Sequence, residues 1–345
     1  MDEIWGPAAR RGPLKEGERV QLTDAKGRMH TIQLRASGSF HTQYGVLRHD
    51  DVIGLPDGSV VRTALDREYL VLRPLLSDYV LGMPRGATIV YPKDAGQIIQ
   101  MGDIFDGAVV VEAGVGSGGL AMTLLNAVGP RGRLISVERR DDFARIAEEN
   151  VDAWFGGRHP AWEVHRGDLA EVLPGLGLAG QVDRMVLDML APWENIEVAV
   201  EALAPGGLLL AYVATTTQLS RFVEDLRASE RFTEASAWES MVRTWHVEGL
   251  SVRPDHRMVA HTGFLVTARL LAPGTVPPER MRRPAPGARD EAGGIENADI
   301  RSIADEEWTP EAVGERLVAE RKTRKVIRDL ERRAAHDDAV RRSGD

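Results

Sequence analysis

Along residues 17–75, apolar and polar side chains alternate in short runs. Residues 17–24 (GERVQLTD), 25–34 (AKGRMHTIQL) and 57–65 (DGSVVRTAL) each read as a strand with one buried face. Asp24-Ala25-Lys26-Gly27 and Pro56-Asp57-Gly58 supply turns between runs. The pattern predicts a small β domain over residues 1–77. Residues 78–93 carry Gly82, Pro84, Gly86 and Pro92 and read as a connector.

From residue 94 the period changes. Continuous apolar runs at 108–112, 133–138, 162–165, 182–188 and 208–214 alternate with helical patterns at 94–104, 118–128, 141–155, 194–203 and 218–229. Strands that are apolar on both faces and separated by helices predict a doubly wound, mostly parallel sheet. Two further strands, within 235–249 and 263–271, have no helix between them and are expected to pair antiparallel at one edge. This α/β domain spans residues 94–272. Residues 273–345 begin as a charged Pro/Gly-rich linker, expected to be partly disordered. Thr309-Pro310 then caps a last helix reaching about Arg333.

Composition narrows the functional classes. Of the 345 residues, 43% are apolar and 28% charged, a globular profile. No apolar run approaches the ~18 residues of a membrane span. The first residues lack the apolar stretch of a signal peptide. A cytoplasmic protein is expected. Cysteine is absent, which excludes disulfides, Cys-ligated zinc, iron–sulfur clusters and thiol catalysis. The His residues show no metal-ligand spacing such as H-E-x-x-H, so no metal is expected. Net charge is −9, and the acid excess sits in residues 94–275. That balance argues against charge-driven nucleic-acid binding by the whole chain but permits local basic patches.

The strongest chemical signal is Glu112-Ala113-Gly114-Val115-Gly116-Ser117-Gly118-Gly119-Leu120, between a predicted strand and a predicted helix. Small residues let a ligand approach the backbone, and the helix N-terminus offers free N–H groups. Two readings stay open. Gly114, Gly116 and Gly119 satisfy the dinucleotide fingerprint G-x-G-x-x-G, while Gly114, Gly116 and Gly118 satisfy the G-x-G-x-G loop of adenosylmethionine enzymes. Glu138 ends the next strand, where an acid holds ribose hydroxyls under either reading.

Three features favour adenosylmethionine. Asp168, followed by Leu169, succeeds the third strand, where a carboxylate can accept from an adenine amino group. Asp188 ends the fourth strand in Leu187-Asp188-Met189-Leu190-Ala191-Pro192-Trp193. An acid, a proline turn and an aromatic ring there suit a planar, amino-bearing substrate. The antiparallel finish of the sheet is the third feature. Each residue also has a bland reading, as a cap, strand-end acid or core side chain.

The segments EAGVGSGGL, ISVERR, RGDLAE, VLDMLAPWENIEVAVEALAPGGLLLAYVATTTQLSRFVEDL and SVRPDHRMVAHTGFLVTARLLAPG, with ATIVYPKDAGQII before them, resemble the bacterial tRNA adenine-N1 methyltransferases that modify adenine 58 of the T-loop. The likeness covers roughly residues 10–275. Its specific part is the combination of YPKD, LDMLAPW and VRPxHxMxxHTxFL. The resemblance implies a Rossmann-like class I methyltransferase sheet with an antiparallel last strand, a small β domain before it, and a homotetramer. It implies S-adenosyl-L-methionine as cofactor, tRNA as partner, and no membrane. It further implies that Gly114 to Leu120 hold the methionine part of the cofactor, Glu138 its ribose, and Phe143 and Asp168 its adenine. Asp188 would contact the amino group of the target adenine, Tyr91 would pack on the extruded base, and Gln97 is a weaker candidate on the cofactor side. Basic side chains at Arg243, His246, Arg253, His256 and Arg257, and at Arg10, Arg11, Lys15, Arg19, Lys26, Arg28 and Arg35, are candidate phosphate contacts. The competing functions are a class I methyltransferase with another substrate and a nicotinamide-dependent oxidoreductase.

Overall fold

The computed structural model describes residues 10–278. In the N-terminal region the chain forms β1 (Arg19–Asp24), β2 (Met29–Gln33), β3 (Ser39–Thr42), β4 (Gly45–Arg48), β5 (Val60–Arg62) and β6 (Glu68–Leu72). Four of these make an antiparallel sheet in the order β2-β1-β6-β5, and β3 and β4 form a separate hairpin. Val20, Leu22, Val61, Tyr69 and Val71 fill its core together with Leu14, Leu34 and Leu47. The sequence pattern does not reveal β6, because its outward residues Leu70 and Leu72 are themselves apolar.

The connector is not irregular throughout. It contains α1 (Leu76–Gly82), started by the Asp78 carboxylate, which accepts from the Leu75 N–H at 3.1 Å. Two members of the N-terminal basic group are held by contacts within the fold, Arg10 half-buried and Arg28 exposed. The Arg10 guanidinium lies 3.5 Å from the Trp154 ring centroid and donates to the Trp154 carbonyl at 2.6 Å. Arg28 pairs with the buried Asp24 at 2.6 Å.

Next come α2 (Pro92–Met101), β7 (Val109–Ala113), α3 (Gly119–Val128), β8 (Arg133–Glu138), α4 (Asp141–Phe155), β9 (Trp162–Arg166), α5 (Leu169–Val172), β10 (Val182–Leu187), α6 (Ile196–Ala202), β11 (Leu203–Val213) and α7 (Thr216–Ser229). The chain continues through β12 (Ser236–Trp238), β13 (Trp245–Glu248), β14 (Ser251–Pro254) and β15 (Phe264–Arg269). The seven-stranded sheet runs β12-β15-β11-β10-β7-β8-β9. All its pairings are parallel except those of β15, which is antiparallel to both β11 and β12. Thus β15 lies one strand inside the edge. The expected strand at 235–249 splits, its second half leaving the sheet as the β13–β14 hairpin. Without a crossover helix the chain can return only antiparallel.

Apolar side chains cover both faces of the sheet. Leu120, Leu124 and Leu125 of α3 and Val151 and Trp154 of α4 pack on one face. Ile196 and Ala199 of α6 and Phe222 and Leu226 of α7 pack on the other. The chain winds outward from β7 through β8 to β9, then restarts on the other side at β10. The crevice beyond the carboxyl ends of β7 and β10 is therefore the switch point at which such sheets bind ligands. The helix expected after Thr309 lies outside the described residues.

Candidate active site

The glycine loop leaves β7 and is shaped by what surrounds it. At Gly114 φ is +87°, and a Cβ there would sit 1.9 Å from the Asp188 carbonyl oxygen. Only glycine fits. Gly118 caps α3 at φ +84°, with the Ala147 carbonyl 3.2 Å from where a Cβ would lie. Gly119 and Leu120 pack inward at the first turn of α3. The Ser117 hydroxyl faces the connector, accepting from Gly86 N–H at 3.3 Å and Ala87 N–H at 3.4 Å. Asn150, a residue the sequence did not single out, ties this corner together. Its buried amide donates to Pro84 O at 2.8 Å and Ser117 O at 3.0 Å.

Three carboxyl groups converge at the strand ends. Glu138, at the end of β8, accepts from Gly116 N–H at 3.0 Å through one oxygen and from Arg140 N–H at 3.0 Å through the other. Glu112 is fully buried on β7. Ser136 donates to one of its oxygens at 2.6 Å, Trp162 donates to that serine at 2.9 Å, and the second Glu112 oxygen has no partner. Burial, and then the charges of Asp188 and Glu138, push Glu112 up to about 8. Asp188 follows β10, and its own N–H donates to Ala113 O at 2.9 Å. Among the described residues nothing donates to its carboxylate. Burial first, and the nearby Glu138 charge second, push it up to about 7.

The remaining candidates lie at the start of α5, on α4 and on α2. Asp168 caps α5 by accepting from Ala170 N–H at 3.1 Å, and Leu169 is buried behind it. Arg139 stands 3.7 Å from the Asp168 carboxylate. Phe143 lies against the connector at Gly86, with the Arg140 guanidinium 3.4 Å from its ring centroid. Tyr91 is half-buried at the N-cap of α2, and Gln97 is half-buried one turn into that helix. The loop after Asp188 is held by α7. Gln218 donates to Leu190 O at 2.9 Å, and Arg221 lies 4.3 Å from the Trp193 ring centroid.

The second basic stretch divides. His246 and Arg253 face each other on one side of the β13–β14 hairpin, and Arg243 donates to Asp255 O. Arg253, His256 and Arg257 are exposed.

The crevice fits a cofactor of one kind. Its floor is a glycine-lined cradle in which a Cβ at Gly114 would strike backbone, and Glu138, Asp188 and the buried Glu112 with its orphaned oxygen stand at the strand ends beside it. A cation with hydroxyls and an amino-bearing ring matches that donor and acceptor set better than a pyrophosphate, which would meet acids there in place of cationic side chains. Residues 69–254 match the family described as the tRNA methyltransferase complex GCD14 subunit, and residues 12–61 match the TrmI-like N-terminal family.

The chain belongs to this tRNA methyltransferase family.

This methyltransferase is 36% identical over 250 residues to the tRNA (adenine(58)-N(1))-methyltransferase TrmI of Thermus thermophilus, a match covering 72% of this chain and 95% of that protein. Its fold superposes on a SAM-dependent O-methyltransferase from Thermotoga maritima with a TM-score of 0.70 at 31% identity, covering 75% of this chain and 95% of the other. It also matches the tRNA (m1A58) methyltransferase TrmI of Aquifex aeolicus, with a TM-score of 0.66 at 26% identity, covering 76% and 100%. No helix among the described residues is long and apolar enough to cross a membrane.

Proposed function

We propose that this chain transfers a methyl group from S-adenosyl-L-methionine to N1 of adenine 58 in the tRNA T-loop. The observation that carries the reading is the Asp188 carboxylate, set without a partner at the switch point beside a glycine cradle. S-adenosylmethionine supplies an electrophilic methyl group when bound. The Gly114–Leu120 loop holds its methionine part through the amides the fold leaves unused, those of Val115, Ser117, Gly119 and Leu120, while Gly114, Gly116 and Gly118 donate within the protein and Glu112 lies buried on β7 behind the loop. Glu138 keeps a lone pair on each oxygen for the ribose hydroxyls. Asp168, Leu169 and Phe143 enclose the adenine ring, with Gln97 at the margin.

The target N1 lies on the Watson–Crick edge, so the adenine must leave its stack and enter the crevice. Tyr91 packs against the extruded base. Asp188 accepts a hydrogen bond from the exocyclic amino group and stabilises the positive charge that develops on the ring as N1 is alkylated. It is also placed to take the amino proton afterwards. Catalysis then rests on positioning and electrostatics.

We place residues 1–77 as a small β domain that helps grip the folded RNA, residues 78–93 as the connector, residues 94–272 as the catalytic domain, and the whole in the cytoplasm with its tRNA. We also propose a homotetramer. On the β13–β14 hairpin, Trp245, Val247, Val252 and Pro254 share one face, while His246, Glu248, Ser251 and Arg253 share the other. Trp245, Val247, Val252 and the tip residue Leu250 are exposed. A lone two-stranded hairpin is marginal in water, and a contiguous apolar patch marks an interaction surface. Copies of this chain cover the apolar face, leaving the polar side with His246 and Arg253 for RNA. Light scattering is expected to give the mass of four chains, and Trp245→Glu with Val247→Glu is expected to lower it. A wild-type mass of one chain overturns the tetramer.

The test of function is methyl transfer from labelled S-adenosylmethionine to unmodified tRNA transcripts, with the product nucleoside identified by mass spectrometry. N1-methyladenosine in the T-loop is the expected product. Cofactor binding without transfer to any tRNA overturns the substrate.

A further inference from the structure

Two sequence signatures, Tyr91-Pro92-Lys93-Asp94 and His261-Thr262-Gly263-Phe264, meet in one buried polar network. Asp94 and Thr262 are 168 residues apart in sequence. Asp94 is fully buried. Its Oδ1 accepts from Lys93 Nζ at 2.7 Å and from Ser240 Oγ at 2.7 Å. Its Oδ2 accepts from Thr262 Oγ1 at 2.5 Å and from the Tyr212 hydroxyl at 3.4 Å. Lys93 Nζ also donates to Thr262 Oγ1 at 2.6 Å and to Ser240 Oγ at 3.4 Å. The four acceptor positions of the carboxylate and the three ammonium hydrogens are all used, so the network is closed. A closed buried network rigidifies what it joins, and loss of one member strands the others.

What it joins is specific. Ser240 and Thr262 are the two roots of the arm that carries the β13–β14 hairpin. Lys93 and Asp94 open α2, directly after Tyr91. Tyr212 stands beside Asp188, since Ala211 pairs with Leu187 across β11 and β10. The Tyr212 ring lies over Gly263, where a Cβ would meet it at 2.4 Å. A second tie lies next to the first. His261 Nδ1 is 2.8 Å from Glu239 and its Nε2 is 3.1 Å from Ala214 O, again joining both arm roots to the end of β11. A buried ion pair contributes little net stability compared with apolar residues of the same volume. Its value here is a single geometry.

We propose that Lys93 and Asp94 are positioning residues for methyl transfer to RNA. They hold the arm roots and the Tyr91 end of α2 in one register with Asp188, so that an RNA strand entering between arm and helix delivers its base to the crevice. The inference rests on the tRNA methylation reading and adds residues outside the glycine loop and the strand-end acids.

The test uses the full chain and a T-loop-bearing tRNA transcript. Thr262→Val removes the central hydroxyl, Thr262→Ser keeps it, and Asp94→Asn removes the charge. The readouts are kcat, KM for tRNA, cofactor Kd and hydrogen exchange across residues 239–262. Thr262→Val is expected to lower kcat/KM for tRNA about tenfold, the size of one lost buried hydrogen bond. The cofactor Kd stays unchanged, the arm roots exchange faster, and Thr262→Ser restores both. Asp94→Asn gives a larger loss of the same kind. Where Asp94→Asn fails to fold, the Thr262 pair decides. Wild-type activity with Thr262→Val equally active, or with Thr262→Ser no better than Thr262→Val, overturns this proposal alone. A wild-type protein inactive toward tRNA overturns it together with the function.

Discussion

Asp188→Asn is expected to lower turnover on tRNA by about 10²–10⁴-fold, the range for a group that handles charge and protons at the reacting centre. Cofactor binding should largely survive, because the cradle amides and Glu138 hold the cofactor without the Asp188 side chain. The variant keeps the shape of the side chain and loses its charge, so a defect confined to kcat separates chemistry from packing. An equal loss of cofactor affinity would instead assign Asp188 to the cofactor site. The substitution also has a signature in the free protein. Asp188 and Glu112 are pushed up from ordinary values near 4 to about 7 and about 8, first by burial and then by neighbouring carboxylates. The native state therefore binds more protons than the unfolded chain across that window, and stability falls as pH rises through it. Melting temperature should decline from pH 5 to pH 8. Asp188→Asn should flatten the decline, leaving the part due to Glu112, and saturating S-adenosylmethionine, a cation, should oppose it. A melting temperature that rises over this window would show that burial does not raise these two acids as described.

Gly114→Ala is expected to abolish cofactor binding. The new Cβ would lie 1.9 Å from the Asp188 carbonyl oxygen, which is backbone and cannot swing aside. The residue must also keep φ +87°, which costs an alanine roughly 1–2 kcal/mol. Relief requires β7 and β10 to part at their carboxyl ends, where the crevice is formed. Cofactor affinity should fall by at least about a hundredfold, equivalent to about 2.7 kcal/mol. Gly96→Ala serves as the control. It lies on α2 with nothing within 4 Å of its Cβ position and should bind as wild type. Calorimetric titration of both variants with S-adenosylmethionine checks this. Wild-type affinity in Gly114→Ala would mean that the cradle is not where the cofactor lies.

Much of the fold is legible in the chain because its signals are local. The apolar runs at 108–112 and 182–188 give β7 and β10 because a strand buried on both faces needs apolar residues on both. Helix 141–155 is α4 without adjustment, since its periodicity and the glycine after it act within a few residues. Legibility fails where a strand lacks alternation, as in β6, and where α1 opens a stretch that its prolines and glycines mark as a connector.

The sequence by itself determined the alternation of strands and helices, the glycine loop, and the strand-end placement of Glu112, Glu138 and Asp188. Each of these follows from neighbours in the chain. The tertiary structure decided which groups face one another across it: Asn150 on the glycine loop, Arg10 on Trp154, β15 inside rather than at the edge, and Asp94 enclosed by Ser240, Thr262 and Tyr212. In the sequence Lys93 and Asp94 are only part of the YPKD segment, with no sign of what surrounds them. Only the packing of α2 against segments more than a hundred residues later takes them out of water, and it is burial that turns an ordinary ion pair into a lock.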